Sequence, residues 1–228
     1  MQDVELEQQH PASNRLSACP SSLHPANSGA MLQTSLQTST AALKEWAVTC
    51  RALQEGRQVL LLRKGGIEDD YGVFALEHQT FWLQPTYEHQ SEERVKPQDR
   101  DLFGTVATLQ QDGENLDFIV LGLWAQVARV WALPPDAEDN LSKLLRAPHI
   151  YEESYLRLRL DYKPAHPLLC VALRVFQAEA PHIVTMRPEF LGCRSWIELP
   201  EGLLLGGKPA LEEAAFQEHL DMLETALR

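Results

Sequence analysis

Apolar positions recur along this chain with two different spacings, and the change from one to the other marks out its elements. From Ser39-Thr40 onward, Leu43, Trp46, Ala47, Cys50 and Leu53 fall at helical intervals. A serine or threonine hydroxyl caps the first turn of such a helix, and Gly56 ends it. The run Gln58 to Lys64, with Val59-Leu60-Leu61-Leu62 at its centre, suits a buried strand, and Gly65-Gly66 supplies a turn with positive φ. A second strand is expected from Thr80 to Gln84, stopped by Pro85. Ser91 to Asp101 is almost wholly polar and reads as an exposed loop.

Strand character resumes at Phe103 to Gln110 and again at Asp117 to Leu133, where Gly122 marks a bend or bulge before Pro134-Pro135 ends the segment. Asp136 is placed to cap a helix through Arg146, with Leu141, Leu144 and Leu145 on one side. Tyr151 to Leu160 fits helix or strand equally well. Leu168 to Phe176 and Cys193 to Leu199 read as strands. Phe216, Leu220, Leu223 and Leu227 give Leu211 to Arg228 the single apolar face of a closing helix.

These elements predict an α+β fold: a small mixed or mainly antiparallel sheet flanked by helices, with no internal repeat. The expected organisation is a disordered leader over 1–38, one α+β domain over 39–207, and an amphipathic helix over 208–228 packed on that domain. The leader is rich in Gln, Ser, Thr, Pro and Asn, and it offers too little apolar surface to offset its ordering entropy.

Composition narrows the class. At 228 residues and 25.7 kDa the chain is long enough for one good-sized core. No apolar run approaches the roughly 20 residues of a membrane-spanning helix. Met1 to Gln9 carries three acids and no cation, unlike a secretory signal. Cys19, Cys50, Cys170 and Cys193 stand far apart, without a C-x-x-C pair. Together these features predict a soluble cytoplasmic protein with reduced thiols, and neither a disulfide framework nor a zinc site. The formal charge of -12 disfavours a broad basic surface for nucleic acid and leaves room for a local basic groove.

Candidate chemistry is densest between Leu60 and Gln90. Arg63-Lys64 beside Gly65-Gly66 is suited to an anion, because glycine lets backbone N–H groups approach while the cations supply charge. The spacing is not that of a P-loop, and a plain hairpin turn beside Glu68, Asp69 and Asp70 explains the same residues. Glu77-His78 and Glu88-His89 flank the expected second strand and would form a metal or acid-base site only if their loops converge. Pro135-Asp136 followed by Asp161-Tyr162-Lys163 has the form of a PD…DxK nuclease pattern, although Asp136 is better placed as a helix cap.

Cys193 and Ser195 lack any nucleophile elbow, and the acidic box of a Nudix hydrolase is missing. A further constellation joins Arg157, Arg159, Tyr162, Arg174 and Arg194 to Trp82, Trp124, Trp131, Tyr155 and Trp196. Gathered by a curved sheet, they would make a pocket of stacking faces and fork-like donors. Left apart, they are core tryptophans with snorkelling arginines.

One family resemblance runs through these segments. It is carried by Leu43-Lys44-Glu45-Trp46-Ala47, Leu61-Leu62-Arg63-Lys64-Gly65-Gly66-Ile67, Phe74, His78, Phe81, Pro85-Thr86 and His89-Gln90. It continues through His149, Tyr155, Arg157, Arg159, Arg174-Val175 and Gly192-Cys193-Arg194-Ser195-Trp196. Over roughly residues 41–200 the chain resembles an uncharacterised, largely cyanobacterial family, domain of unknown function eighteen-oh-two. The resemblance implies no activity or cofactor. It implies a contextual link to restriction-modification systems, through association with Mrr-like endonuclease domains.

The layout of strands also resembles the small barrels of the pseudouridine-synthase-and-archaeosine-transglycosylase (PUA-like) class, which implies reading of RNA or modified DNA. The functional expectation is a recognition module for nucleic acid or a nucleotide-like anionic ligand. Arg63, Lys64, Gly65, Gly66, His78, His89, Arg157 and Arg174 are its ligand-binding candidates, with no metal assigned. The alternatives are a metal-dependent phosphodiesterase or hydrolase, and a non-catalytic interaction protein.

Overall fold

Residues 37–64, 76–110, 117–135, 137–192 and 194–228 are described by the computed structural model, which contains five helices and a seven-stranded sheet. Strand β1 (Thr38–Trp46) runs directly into helix α1 (Ala47–Gln54). The first half of the expected N-terminal helix is therefore a strand. The reason is its position: β1 lies between β3 (Thr80–Thr86) and β6 (Trp196–Leu204), where both faces are covered. Ala41 and Leu43 enter one apolar cluster and Ala42 enters another. A strand buried on both sides shows a continuous apolar run rather than an alternation, and such a run imitates a helix over a few residues.

The strand order is β2-β5-β4-β3-β1-β6, with β7 (Lys208–Pro209) paired to β5 off this path. Strand β2 spans Leu60–Arg63, β4 Phe118–Leu133 and β5 Leu168–Thr185. All pairs are antiparallel except β1 with β3. Pro85 sits within β3 and does not end it. The pairing of β3 with β4 finishes at Leu83↔Leu123, and beyond that point β3 lies against β1 alone, where a missing N–H is tolerated. At Gly122 the register of β4 on β5 breaks, but the extra residues, 178–181, are on β5, so the irregularity falls at the expected place and belongs to the partner strand.

Phe103 to Gln110 is helical and not a strand. Helix α2 (Asp101–Gln110) opens on Asp101, whose carboxylate accepts two hydrogen bonds from the Arg57 guanidinium at 2.7 and 2.6 Å. Leu102 and Val106, one helical turn apart, are buried. The polar stretch before α2 is not wholly exposed either. It forms two 3-10 turns, Glu92–Arg94 and Pro97–Asp99, and buried Val95 bridges to Tyr151 between them. Helix α3 (Asn140–Arg146) starts after Asp139, while Asp136 lies outside the described residues. The ambiguous segment resolves as helix α4 (Glu153–Asp161), and α5 spans Glu213–Leu227.

Alternation along β5 separates two cores. Leu168, Cys170 and Ala172 face helices α3, α4 and α5, together with Leu144, Leu156 and Leu223. Leu169, Val171, Leu173 and Val175 face the other way, toward Leu43, Phe81, Leu83 and Leu61. The second cluster draws residues from β1 and from β2, which stand four places apart in the sheet. In a flat sheet that interval is about 19 Å. The sheet must therefore curl strongly around this cluster. It remains open, since among the described residues β2 and β6 each pair on one side only. No described helix is long and apolar enough to cross a membrane.

Candidate functional site

The curl leaves a seam between the ends of β1 and β2. Arg63, last residue of β2, and Glu45, next to last of β1, share the face of Leu61 and Leu43. Their side chains meet across the seam: Arg63 Nη1 lies 3.1 Å from Glu45 Oε2 and also donates to the Lys44 carbonyl at 3.3 Å. The pair is nearly buried, with Glu45 9% and Arg63 13% exposed. Glu45 Oε1 accepts the Trp46 backbone N–H at 2.8 Å, and Thr86 Oγ1 donates to the Glu45 carbonyl at 3.1 Å. Helix α1 begins at this point and contributes Val48 and Ala52 to one core, Cys50 and Leu53 to the other. The Gln90 side chain accepts the Val48 N–H, a donor that the first turn of a helix leaves unpaired.

Aromatic rings and further cations gather around the ion pair. The rings of Trp46 and Tyr155 lie 4.9 Å apart, and the Arg94 guanidinium sits 5.8 Å from the Trp46 ring. Arg94 donates to the His89 carbonyl, and Arg159 Nη2 donates to the Leu62 carbonyl at 3.3 Å. Burial pushes the Tyr155 hydroxyl up to about 12; the nearby Arg159, Arg63 and Arg94 oppose that shift and Glu45 adds to it. One phenol is thus within electrostatic reach of three guanidinium groups and one carboxylate. Trp46, Arg94 and Arg159 are half-buried, which leaves part of the cluster open to solvent. Burial and Glu45 together raise the Cys50 thiol well above its ordinary range, so it stays a neutral, inert group beneath the site.

The sequence-derived candidates separate. Arg63 is at the centre. Lys64 is buried against the other core, where its ammonium donates to the Leu160 carbonyl at 2.6 Å near the end of α4. His89 adjoins the cluster through its carbonyl, in a turn with φ of 62°. His78 packs its ring edge-on to Trp196 at 5.0 Å, before β3 begins. Between the two histidines runs the whole of β3, seven residues or about 23 Å.

Arg157 is on α4 but exposed, paired with Glu153 one turn earlier. Arg174 is five residues along β5 from Leu169, the register partner of Arg63, and so on the opposite face. It rests 4.6 Å from the Phe216 ring of α5 and pairs with Glu213. Gly65 and Gly66, like Cys193, lie outside the described residues.

Of the wider arginine and aromatic constellation, Arg159 and Tyr155 reach the seam, and Tyr162 stands beside Arg159. Trp124 stacks on Phe176 and donates to the Gly206 carbonyl; Trp131 donates to Glu224. Trp82 is fully buried. Asp161 closes α4, and Lys163 sits over the Tyr162 ring in a left-handed turn. Among the described residues, no three His, Cys, Asp or Glu side chains come together as a metal site would require.

Glu45, Trp46 and Arg94 belong to the cluster and were not among the sequence-derived candidates. Glu45 and Trp46 sit inside the first signature segment, hidden by its helical spacing. Arg94 stands in the polar stretch, where adjoining Val95 was the one sign of anchorage.

Fold and site together describe an α+β protein whose curled, open sheet carries a basic and aromatic cluster at its seam. The chain belongs to the family described as Domain of unknown function (DUF1802), whose model matches residues 42–221. Neither the curated proteins nor the solved structures give a match.

Proposed function

We propose that this chain is a recognition module for nucleic acid or a nucleotide-like anionic ligand, which it binds at the seam between β1 and β2. The observation that carries the reading is the grouping around the half-buried Trp46 of Arg63, held by the adjoining Glu45, Arg94, 5.8 Å from the indole ring, and Arg159, one turn along α4 from the Tyr155 ring that packs on Trp46. Guanidinium groups match phosphate oxygens in fork geometry, while the half-buried Trp46 indole, backed by the buried Tyr155 ring, offers a flat face for a base. With a chain charge of -12, long tracking along a nucleic-acid backbone is disfavoured, so the contact is a short one, of one or two nucleotides.

Titration with mononucleotides and with short single-stranded, duplex and modified oligonucleotides, at low and moderate salt, tests the reading. Trp46→Ala is expected to weaken binding by about 5- to 150-fold, the range that loss of one base–aromatic stack produces. Absence of binding, or binding indifferent to both Trp46→Ala and Arg94→Ala, contradicts it.

A further inference from the structure

A cation meant for a ligand is seldom already engaged by a nearly buried carboxylate, yet Arg63 is held at 3.1 Å by Glu45. We propose that Glu45 is a resident counter-ion, and that a phosphate-bearing ligand binds by taking the Arg63 guanidinium from it, loosening the seam between β1 and β2 as it does so. This rests on the recognition reading above and adds its regulation.

Three features support the exchange. First, the carboxylate sits where an anion would be wanted, among the groups whose charges reach Tyr155: Arg63, Arg94 and Arg159. Second, a phosphate or pyrophosphate group carries more charge and more acceptor oxygens than a carboxylate and is the stronger partner for a guanidinium. Third, the two oxygens of Glu45 have separate duties. Oε2 holds Arg63 and Oε1 holds the Trp46 N–H. When the carboxylate leaves, a guanidinium and a backbone N–H at the start of α1 become available together to the incoming anion.

The sheet is coupled to the same event. Backbone pairing does not join β1 to β2, and the Arg63 guanidinium bridges them through the Glu45 carboxylate and the Lys44 carbonyl. Replacing the carboxylate by a ligand oxygen removes one of these two bridges. A ligand can shift a structure only through such a difference in contacts.

The experiment uses the full chain, inorganic pyrophosphate as probe, and the near-isosteric variant Glu45→Gln. Removing the competing charge should tighten pyrophosphate binding about tenfold. In the wild-type chain, saturation should shift the Trp46 backbone amide resonance, as its acceptor changes from the Glu45 carboxylate to the ligand. Wild-type binding that Glu45→Gln leaves unchanged or weakens, with the Trp46 amide unmoved, overturns the exchange while the site stands. Failure of both proteins to bind overturns the site, and the exchange with it. If Glu45→Gln does not fold, the Trp46 amide of the wild-type chain decides.

Discussion

Buried between α3 and the start of α4, the His149 imidazole is held neutral by its surroundings. Its Nδ1 accepts the Tyr151 N–H at 3.1 Å, so the proton is on Nε2, which donates to the Leu144 carbonyl at 2.8 Å. Burial, helped by the Lys96 ammonium, pushes its pKa down to about 4 from an ordinary 6.5. Above pH 6.5 neither folded nor unfolded chain protonates this ring, and it costs nothing. As pH falls from 6.5 toward 4, the unfolded chain takes a proton that the folded chain refuses, and stability is lost. The loss should reach about 2 kcal/mol by pH 5. Urea midpoints at pH 7.5 and pH 5 measure it, and His149→Gln should flatten the difference. An equal pH dependence in both proteins would refute the assignment.

The Glu45–Arg63 pair makes a second prediction at this scale. Arg63→Met strands a nearly buried carboxylate and should destabilise by about 3 kcal/mol. Glu45→Gln combined with Arg63→Met should recover a large part, and denaturant unfolding of the four proteins in the cycle would show a coupling well above 0.5 kcal/mol. Simple additivity would mean that the pair does not hold the seam.

Among the elements, the closing helix α5 was legible because its sequence follows one rule only. Phe216, Leu223, Ala226 and Leu227 are buried at helical spacing, while Glu218 and Asp221 face solvent. Leu223 is fully buried, so Leu223→Ala should cost about 3 kcal/mol in thermal or urea unfolding. A cost under 0.5 kcal/mol would mean that α5 is not anchored there. Strand β2 was equally plain.

Strand β1 and helix α2 were not legible, and both failures have physical causes. In β1, double-sided burial removes the alternation that identifies a strand. In α2, Val106 with Thr105 and Thr108 carries strand propensity, and the tie from Asp101 to Arg57 comes from 44 residues away. Tertiary contact overrode local preference. Gly207 illustrates a constraint of the same non-local kind: its φ is +116°, and an added Cβ would lie 1.9 Å from the Gln177 carbonyl oxygen. Gly207→Ala should therefore destabilise by at least about 2 kcal/mol and disturb the β5–β7 pairing.

For the molecule as a whole, curling of the sheet decides what can form a site. The basic and aromatic residues read from sequence order divide between two faces of one sheet. The face is set by odd and even positions along β5 and by which strands the curl brings together. Arg63 and Arg174 both looked available, and the single parity step between Leu169-like and Ala172-like positions sends them apart. Glu45, four strand places from Arg63, could be paired with it only once the curl was known. Hence the residue types of the site could be read from the sequence, while their grouping depends on tertiary structure.

That grouping is tested most directly by comparing two arginine variants in one binding assay. With the nucleotide or oligonucleotide that binds the wild-type chain best, dissociation constants are measured for Arg94→Ala, at the seam, and Arg174→Met, under α5. A seam site predicts that Arg94→Ala weakens binding about tenfold or more, while Arg174→Met leaves it within about twofold. Equal losses in the two variants, or loss in Arg174→Met alone, would contradict a site between β1 and β2.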